Sequence, residues 1–460
     1  MKGLNDIKQV YFLGIGGIGM SALARWFKHA GFAVSGYDKT ETELTKALVS
    51  EGIDVHYTDQ PELVAGLDKN TCLVVLTPAV PADLEERVYL EKSGFTIRKR
   101  SQVLGMICDE GKTLAVAGTH GKTTVSTMTA HILKSSRLDC SAFLGGISKN
   151  YATNLLLSAE SEWMVAEADE FDRSFLQLHP DYAVVTSMDA DHLDIYGDHG
   201  AILKSFREFV GQIRSGGAVV AKKGLPISES HNPAIKHYSY SLNEQADFCA
   251  LNVSLKNEAY HFDLQYPDGL IRDMQLNYPG LLNVENAVAA SALALLAGVS
   301  EEEVKAAVAT YQGVKRRFDI RYRGNEYLLI DDYAHHPEEL KATISSVKAM
   351  FADRWVTGIF QPHLYSRTKD FAPEFAEQLS QLDELFLLDI YPAREKPIPG
   401  VTSGIIFDQV KLDEKHLFTK AEMITNAQYL KPGIILMMGA GDIDLLVEPV
   451  ARFLKQTENV

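Results

Sequence analysis

The chain has 460 residues, more than one hydrophobic core ordinarily serves, and that length suggests about three domains. Hydrophobic residues make up 46% and charged residues 23%, ordinary values for a soluble globular protein. The net charge of −16 argues against a nucleic-acid binder, so an anionic substrate has to be met by locally placed lysine and arginine.

Four scattered cysteines (Cys72, Cys108, Cys140, Cys249) form no CxxC pair and suggest neither a zinc site nor a disulfide framework. The N-terminus meets a glycine motif within a few residues, unlike a signal peptide, and no apolar run is long enough to span a bilayer. A cytoplasmic protein is expected. The run VYFLGIGGIGMSALA from Val10 then reads as strand, turn and helix start. Gly14, Gly16 and Gly19, with Gly17 between them, fit G-x-G-x-x-G, and Asp38 ends the next strand. Such glycines let backbone approach a pyrophosphate, and the acid takes ribose hydroxyls. NAD, FAD and a UDP-sugar all carry a pyrophosphate, and these residues do not separate them. A further strand, Cys72 to Pro78, ends in a polar turn that lines the same crevice.

Near Glu110 to Lys112 the first unit gives way to a second. An apolar strand from Leu114 to Ala117 runs into Gly118, Thr119, His120, Gly121, Lys122, Thr123 and Thr124, and apolar residues at helical spacing follow. A glycine loop between strand and helix forms a nest of N–H groups for phosphate oxygens. Lys122 then reaches the terminal phosphates and the Thr123 hydroxyl meets Mg²⁺. Only two residues separate the glycines, against four in the usual pattern. The reading is an ATP-using protein. Two more strands, from Trp163 and from Tyr182, end in the acid-rich runs Glu167 to Asp172 and Asp189 to Asp194. Acids at strand ends beside a glycine loop make a cage for phosphate-bound Mg²⁺. His192 within them reads by chemistry alone as a packing histidine, since hard Mg²⁺ prefers oxygen.

Residues 215–275 lose the strand–helix rhythm, and alternation such as Tyr260 to Tyr266 predicts antiparallel strands or hairpins. Asn283 and Asn286 then share one face of an alanine-rich helix, where an amide can pair with adenine, although Asn283 also suits a helix cap. Lys315, Arg316 and Arg317 mark a hinge into a third unit. Its strands end in four polar clusters: Asp331 to Pro337, Gln361 to Thr368, Asp389 to Lys396, and Gly439 to Asp442. Together these predict a binding mouth.

These stretches together resemble the Mur ligases, the ATP-dependent amide-forming enzymes of peptidoglycan precursor synthesis, and most nearly the branch that adds the first amino acid. The resemblance runs along nearly the whole chain. It implies an α/β protein of three domains: a Rossmann-like N-terminal domain (1–109), a central P-loop ATPase-type parallel sheet with added antiparallel strands (110–314), and a C-terminal Rossmann-like domain (315–460). It implies UDP-N-acetylmuramate and L-alanine as substrates, with ATP and Mg²⁺ as cofactors. The N-terminal glycines would then hold UDP rather than NAD. Lys122 would contact the γ-phosphate, Thr123 and Glu167 would hold Mg²⁺, and His192 would hold a second Mg²⁺. Asn286 would read adenine, with Arg317 and Asp332 on phosphate and ribose. His335 or His336, and Arg367, would face the acyl phosphate and the alanine carboxylate. Leu364 stands where the family often has a second arginine, with Arg394 or Lys396 as substitutes. A ligase attaching murein tripeptide to the same sugar, an NAD-dependent oxidoreductase, and a non-enzymatic nucleotide-gated protein are the competing readings.

Overall fold

The computed structural model describes residues 6–189, 193–227, 232–393 and 395–458. The described strands form sheets of five, ten and six. In the first sheet the order is Asp54–His56, Ala33–Tyr37, Gln9–Leu13, Cys72–Leu76 and Thr96–Lys99, with every neighbouring pair parallel. Parallel pairs need long crossovers, which the helices Ile18–His29, Glu43–Ser50 and Glu85–Lys92 help to supply. The chain order reverses at Gln9–Leu13, and the glycine turn lies beyond its carboxyl end, the place where open α/β sheets bind ligands. Val10 and Phe12 face one core while Tyr11 and Leu13 face another, so the strand is apolar throughout.

In the second sheet the phosphate-loop strand Lys112–Ala117 lies between Tyr182–Val185 and Trp163–Ala168, parallel to both. The two strands that lead into the acid-rich runs therefore end on the same side of the sheet as the glycine loop, and of the second run Ala190, Asp191 and His192 lie outside the described residues. The expected hairpins are present in part. Phe248–Lys256, Ala259–Tyr266 and Gly269–Leu276 are successive neighbours joined by two-residue links, which only antiparallel strands allow. Ala218–Lys222, Lys236–Ser241 and Phe248–Lys256, by contrast, pair in parallel. Alternating polarity marks one solvated face and does not by itself fix strand direction.

The chain divides into two compact units. One comprises Met1–Val253, His261–Leu276 and Glu285–Gln312, and so holds the first sheet and most of the second. These share one apolar core, in which Leu23 and Phe27 of the first helix join Phe143, Leu155 and Ala166. Polar contacts fix the same junction: the Asn154 amide donates to Ile18 O at 2.6 Å and to Ser21 Oγ at 2.9 Å. The glycine turn and the phosphate loop are thus held within one body.

The other unit comprises Ser254–Tyr260, Asn277–Val284 and Gly313–Val460. Its sheet runs Asp319–Arg323, Tyr327–Asp332, Gly433–Met438, Val356–Phe360, Glu384–Leu388, Lys415–Phe418, and the first strand alone is antiparallel to its neighbour. The four polar clusters follow directly on four adjacent parallel strands, all at their carboxyl ends. Among the described residues no helix is long and apolar enough to cross a membrane.

Candidate active site

The N-terminal turn is built around backbone. Gly14 sits at φ +84°, and a Cβ there would come within 2.8 Å of the Thr77 methyl. Gly17 caps the helix Ile18–His29 without a side-chain acceptor, so the first-turn N–H groups have no side-chain cap. Asp38, expected to take ribose hydroxyls, directly follows the strand Ala33–Tyr37, and its carboxylate accepts from Gly16 N at 2.7 Å and from Thr40 N at 3.1 Å. It shapes the turn from beneath. Sequence reasoning missed Arg100, whose guanidinium covers Gly19: a Cβ on that glycine would lie 2.7 Å from Nη1.

In the phosphate loop, Gly118 sits at φ +141° and Gly121 caps the helix Lys122–Lys134 at φ +82°, again without a side-chain acceptor. The loop is strapped to the neighbouring strand end: His120 N donates to Ser187 Oγ at 2.8 Å, and Thr119 Oγ1 lies 2.8 Å from the same oxygen. Thr186 completes the strap through its hydroxyl, which donates to His120 O. Lys122 Nζ lies 2.7 Å from Glu170 Oε2 and donates to Gly118 O at 2.6 Å. Burial alone pulls the Lys122 ammonium down, but the carboxylates of Glu170, Asp169 and Glu167 outweigh it and hold the group well above its ordinary range. A fixed positive charge therefore stands at the loop.

Thr123 and Thr124 are buried at the start of the helix, and Glu167 is the next-to-last residue of its strand, beside Gly145. A Cβ on Gly145 would lie 2.0 Å from Glu167 Oε2, so only glycine leaves the carboxylate its place. A hydroxyl and a carboxylate beside a phosphate nest are hard oxygen donors, which fit Mg²⁺. Asn286, in the helix Leu281–Ala297, lies against the loop: its Oδ1 is 3.2 Å from where a Gly121 Cβ would stand. Asn283 is a turn brace instead, its amide donating to Pro279 O. His192 and Arg394 lie outside the described residues.

In the second unit, His335 and His336 part company. His336 caps the helix Pro337–Met350, accepting from Glu338 N, and packs on the Phe371 ring at 4.9 Å. His335 lies with its ring 5.8 Å from His363, which in turn stacks on Tyr391 at 5.7 Å. Arg367 Nη1 is 3.5 Å from His363 Nδ1, in the short helix Tyr365–Asp370. Leu364 before it sits at φ +71°, a strained conformation for leucine. Its N–H donates to Tyr391 O at 3.0 Å, and Glu395 accepts from Ser366 N at 3.0 Å. The structure thus gathers His335, His363, Arg367 and Tyr391 in one cluster.

Asp332 braces the segment that follows Arg317, its oxygens accepting from Phe318 N at 2.6 Å and Ala334 N at 2.8 Å. Arg317 lies over the Tyr333 ring, 4.9 Å from its centroid, and Arg316 binds the carbonyls of Gly439 and Gly441.

Comparison with known proteins matches three family models in chain order: the Mur ligase family catalytic domain over residues 9–112, the Mur ligase middle domain over 116–294, and the Mur ligase glutamate ligase domain over 316–441. A UDP-N-acetylmuramate–L-alanine ligase of Phocaeicola vulgatus is 50% identical over 98% of this chain and 99% of its own. The enzyme of the same name from Parabacteroides distasonis is 51% identical over 98% of each chain. Among solved structures, UDP-N-acetylmuramate–alanine ligase from Thermotoga maritima superposes with a TM-score of 0.81 at 26% identity, covering 98% of this chain and 99% of that one. Family models that span most of the sequence, relatives alike from end to end, and two helix N-termini left open on glycine turns lead to one assignment: the chain belongs to the Mur ligase family.

Proposed function

We propose that the chain is an ATP-dependent ligase that joins L-alanine to the lactyl carboxylate of UDP-N-acetylmuramate, an early cytoplasmic step of peptidoglycan synthesis. The observation that carries this reading is the 50% identity to a ligase of that name along the whole length. In this division of labour residues 1–109 hold the sugar nucleotide, 110–314 hold ATP, and 315–460 hold the amino acid.

A carboxylate is a poor electrophile, and phosphorylation turns one of its oxygens into a leaving group. The lactyl oxygen attacks the γ-phosphorus, ADP departs, and an acyl phosphate forms. The alanine amine then adds to the acyl carbon, loses its proton, and phosphate is expelled. Protein groups supply position and charge. The loop N–H groups and Lys122 stabilise charge growing on the γ-phosphate. Thr123 and Glu167 would hold Mg²⁺, whose charge offsets that of the phosphates; His192 is assigned a second Mg²⁺ by likeness to the family. Asn286 is assigned to adenine by likeness to the family, and its position against the phosphate loop supports that role. Arg317 and Asp332 are assigned to ATP, with Asp332 acting mainly through the segment at Phe318 that it braces. Arg367 takes the alanine carboxylate, and its neighbour His335, rather than His336, faces the acyl phosphate. Gly14, Gly16, Gly17 and Gly19 receive the UDP diphosphate, and Asp38 keeps the turn in shape beneath the ribose.

Phosphate release from ATP with UDP-N-acetylmuramate and, in turn, L-alanine, glycine, L-serine or murein tripeptide tests the reading, with NADH absorbance followed in parallel. Release that depends on L-alanine is expected. Release with tripeptide alone would transfer the chain to the peptide-salvaging reading, and hydride transfer without phosphate release would overturn both.

A further inference from the structure

The acidic run after Trp163–Ala168 holds cations from three directions. Glu170 pairs with Lys122 of the phosphate loop at 2.7 Å, and Asp172 pairs with Lys99 at 2.7 Å. Asp169 accepts from Arg100 Nη2 at 3.2 Å. Arg100 opens the helix Arg100–Cys108, whose start is fixed by the Gln102 side chain accepting from Lys99 N at 2.9 Å. The other terminal nitrogen of its guanidinium lies against Gly19, Nη1 only 2.7 Å from the position of a Cβ there. Nη1 thus stands over the open first turn of the helix Ile18–His29, where N–H groups and helix dipole favour an anion. One guanidinium serves two places: the glycine turn through Nη1 and the phosphate-loop acids through Nη2.

Asp169 is also pulled from the other side. Its charge acts on Lys122, so it belongs to the electrostatic surroundings of the phosphate loop. A magnesium nucleotide on that loop would bring a dication close to these carboxylates and compete with Arg100 for Asp169. A guanidinium released from Asp169 offers its fork to an anion on the glycine turn, where a bidentate contact with a diphosphate is strongest.

We infer that Arg100 is shared between the two nucleotide sites: it contacts the diphosphate of the sugar nucleotide, and its hold by Asp169 makes sugar-nucleotide binding tighten when a magnesium nucleotide fills the phosphate loop. The inference rests on the glycine turn being the sugar-nucleotide site. Coupling of this kind is reciprocal and ordinarily amounts to about 5- to 150-fold in affinity.

Calorimetric titration of the full chain with UDP-N-acetylmuramate, with and without the magnesium salt of a non-hydrolysable ATP analogue, tests it. In the wild-type protein the analogue is expected to lower the sugar-nucleotide Kd by at least ~5-fold. Arg100→Ala should weaken sugar-nucleotide binding by roughly 10- to 100-fold and bring the coupling factor to about 1. Arg100→Lys, which keeps the charge but not the fork, should fall between the two. Asp169→Asn gives the sharper sign: it still accepts from Phe171 N, yet releases Arg100, so it should tighten sugar-nucleotide binding without the analogue and abolish further tightening by it. A merely structural role would lower the melting temperature of these variants and leave the coupling factor unchanged. Wild-type binding without coupling, or coupling that survives in Asp169→Asn and Arg100→Ala, would overturn the inference. Absence of any wild-type affinity for UDP-N-acetylmuramate would instead remove the reading of the glycine turn on which it rests.

Discussion

Lys122 does two jobs that a single substitution cannot separate. Its side chain is 13% exposed and its partner Glu170 is 2% exposed, so the ammonium both faces the phosphate site and neutralises a buried acid. Lys122→Ala should abolish phosphate release and also destabilise the fold by about 3–5 kcal/mol, because it strands a carboxylate in the interior. Lys122→Met with Glu170→Gln removes both charges; urea unfolding should show most of that stability regained while turnover stays absent. Turnover in the double variant would show that the lysine is needed for the fold alone. The paired histidines allow a similar separation. His336→Ala loses a helix cap and should cost about 1–2 kcal/mol, with the dependence on L-alanine unchanged. His335→Ala should barely move the melting temperature and should raise the alanine KM or lower kcat. If the two phenotypes are reversed, the assignment of His335 to the reacting group fails.

Among the elements, the glycine-loop strand and its two acid-ended neighbours were legible in the sequence, because each carries its message within a dozen contiguous residues. Gly145 and Arg100 were not. Gly145 lies two residues past the Phe143–Ala166 pair between Ser141–Ser148 and Trp163–Ala168, so its neighbour Glu167 is set by strand register. Arg100, which opens the helix after Thr96–Lys99, meets Gly19 of the first helix and Asp169 across the junction of two sheets. The split between His335 and His336 was hidden for a related reason, since a cap is decided by where the helix starts. Gly145→Ala tests the packing reading of Glu167. The added methyl carbon would sit 2.0 Å from Oε2 and 2.5 Å from Cδ, and the carboxylate has to swing away. The expected result is a rise of about ten-fold or more in the Mg²⁺ concentration needed for half-maximal turnover, as for displaced metal-site neighbours, with UDP-N-acetylmuramate affinity unchanged. An unaltered Mg²⁺ dependence would place Glu167 away from the metal.

For the whole molecule, the sequence announced three sheets but not that the first two share a core, since helix faces such as Leu23 and Phe27 do not say which sheet they will meet. The net charge of −16 at neutral pH makes self-repulsion grow as carboxylates ionise, and one buried acid adds a definite term to that trend. Asp331 is 1% exposed in the strand Tyr327–Asp332. Burial pushes its carboxyl up to about 7; Arg316 opposes the shift, while the charges of Asp332 and Asp319 add to it. In the unfolded chain an aspartate titrates near ~3.9. Between about pH 4 and pH 7 the folded state therefore keeps a proton that the unfolded state has released, and this group's contribution to stability falls as pH rises. Below that window both states are protonated, and above it both are ionised, so the slope vanishes at either end. Asp331→Asn removes the titration. Urea unfolding of both proteins from pH 4.5 to 8 should show the difference in stability moving in favour of the variant by about 2–4 kcal/mol as pH rises to 7, then levelling. Trp355 lies in the same unit as Asp331, whereas Trp26 and Trp163 lie in the other, so its fluorescence in a variant lacking those two reports the relevant transition. A difference constant across the range would mean that Arg316 holds Asp331 ionised throughout, with the strand end built on an ion pair.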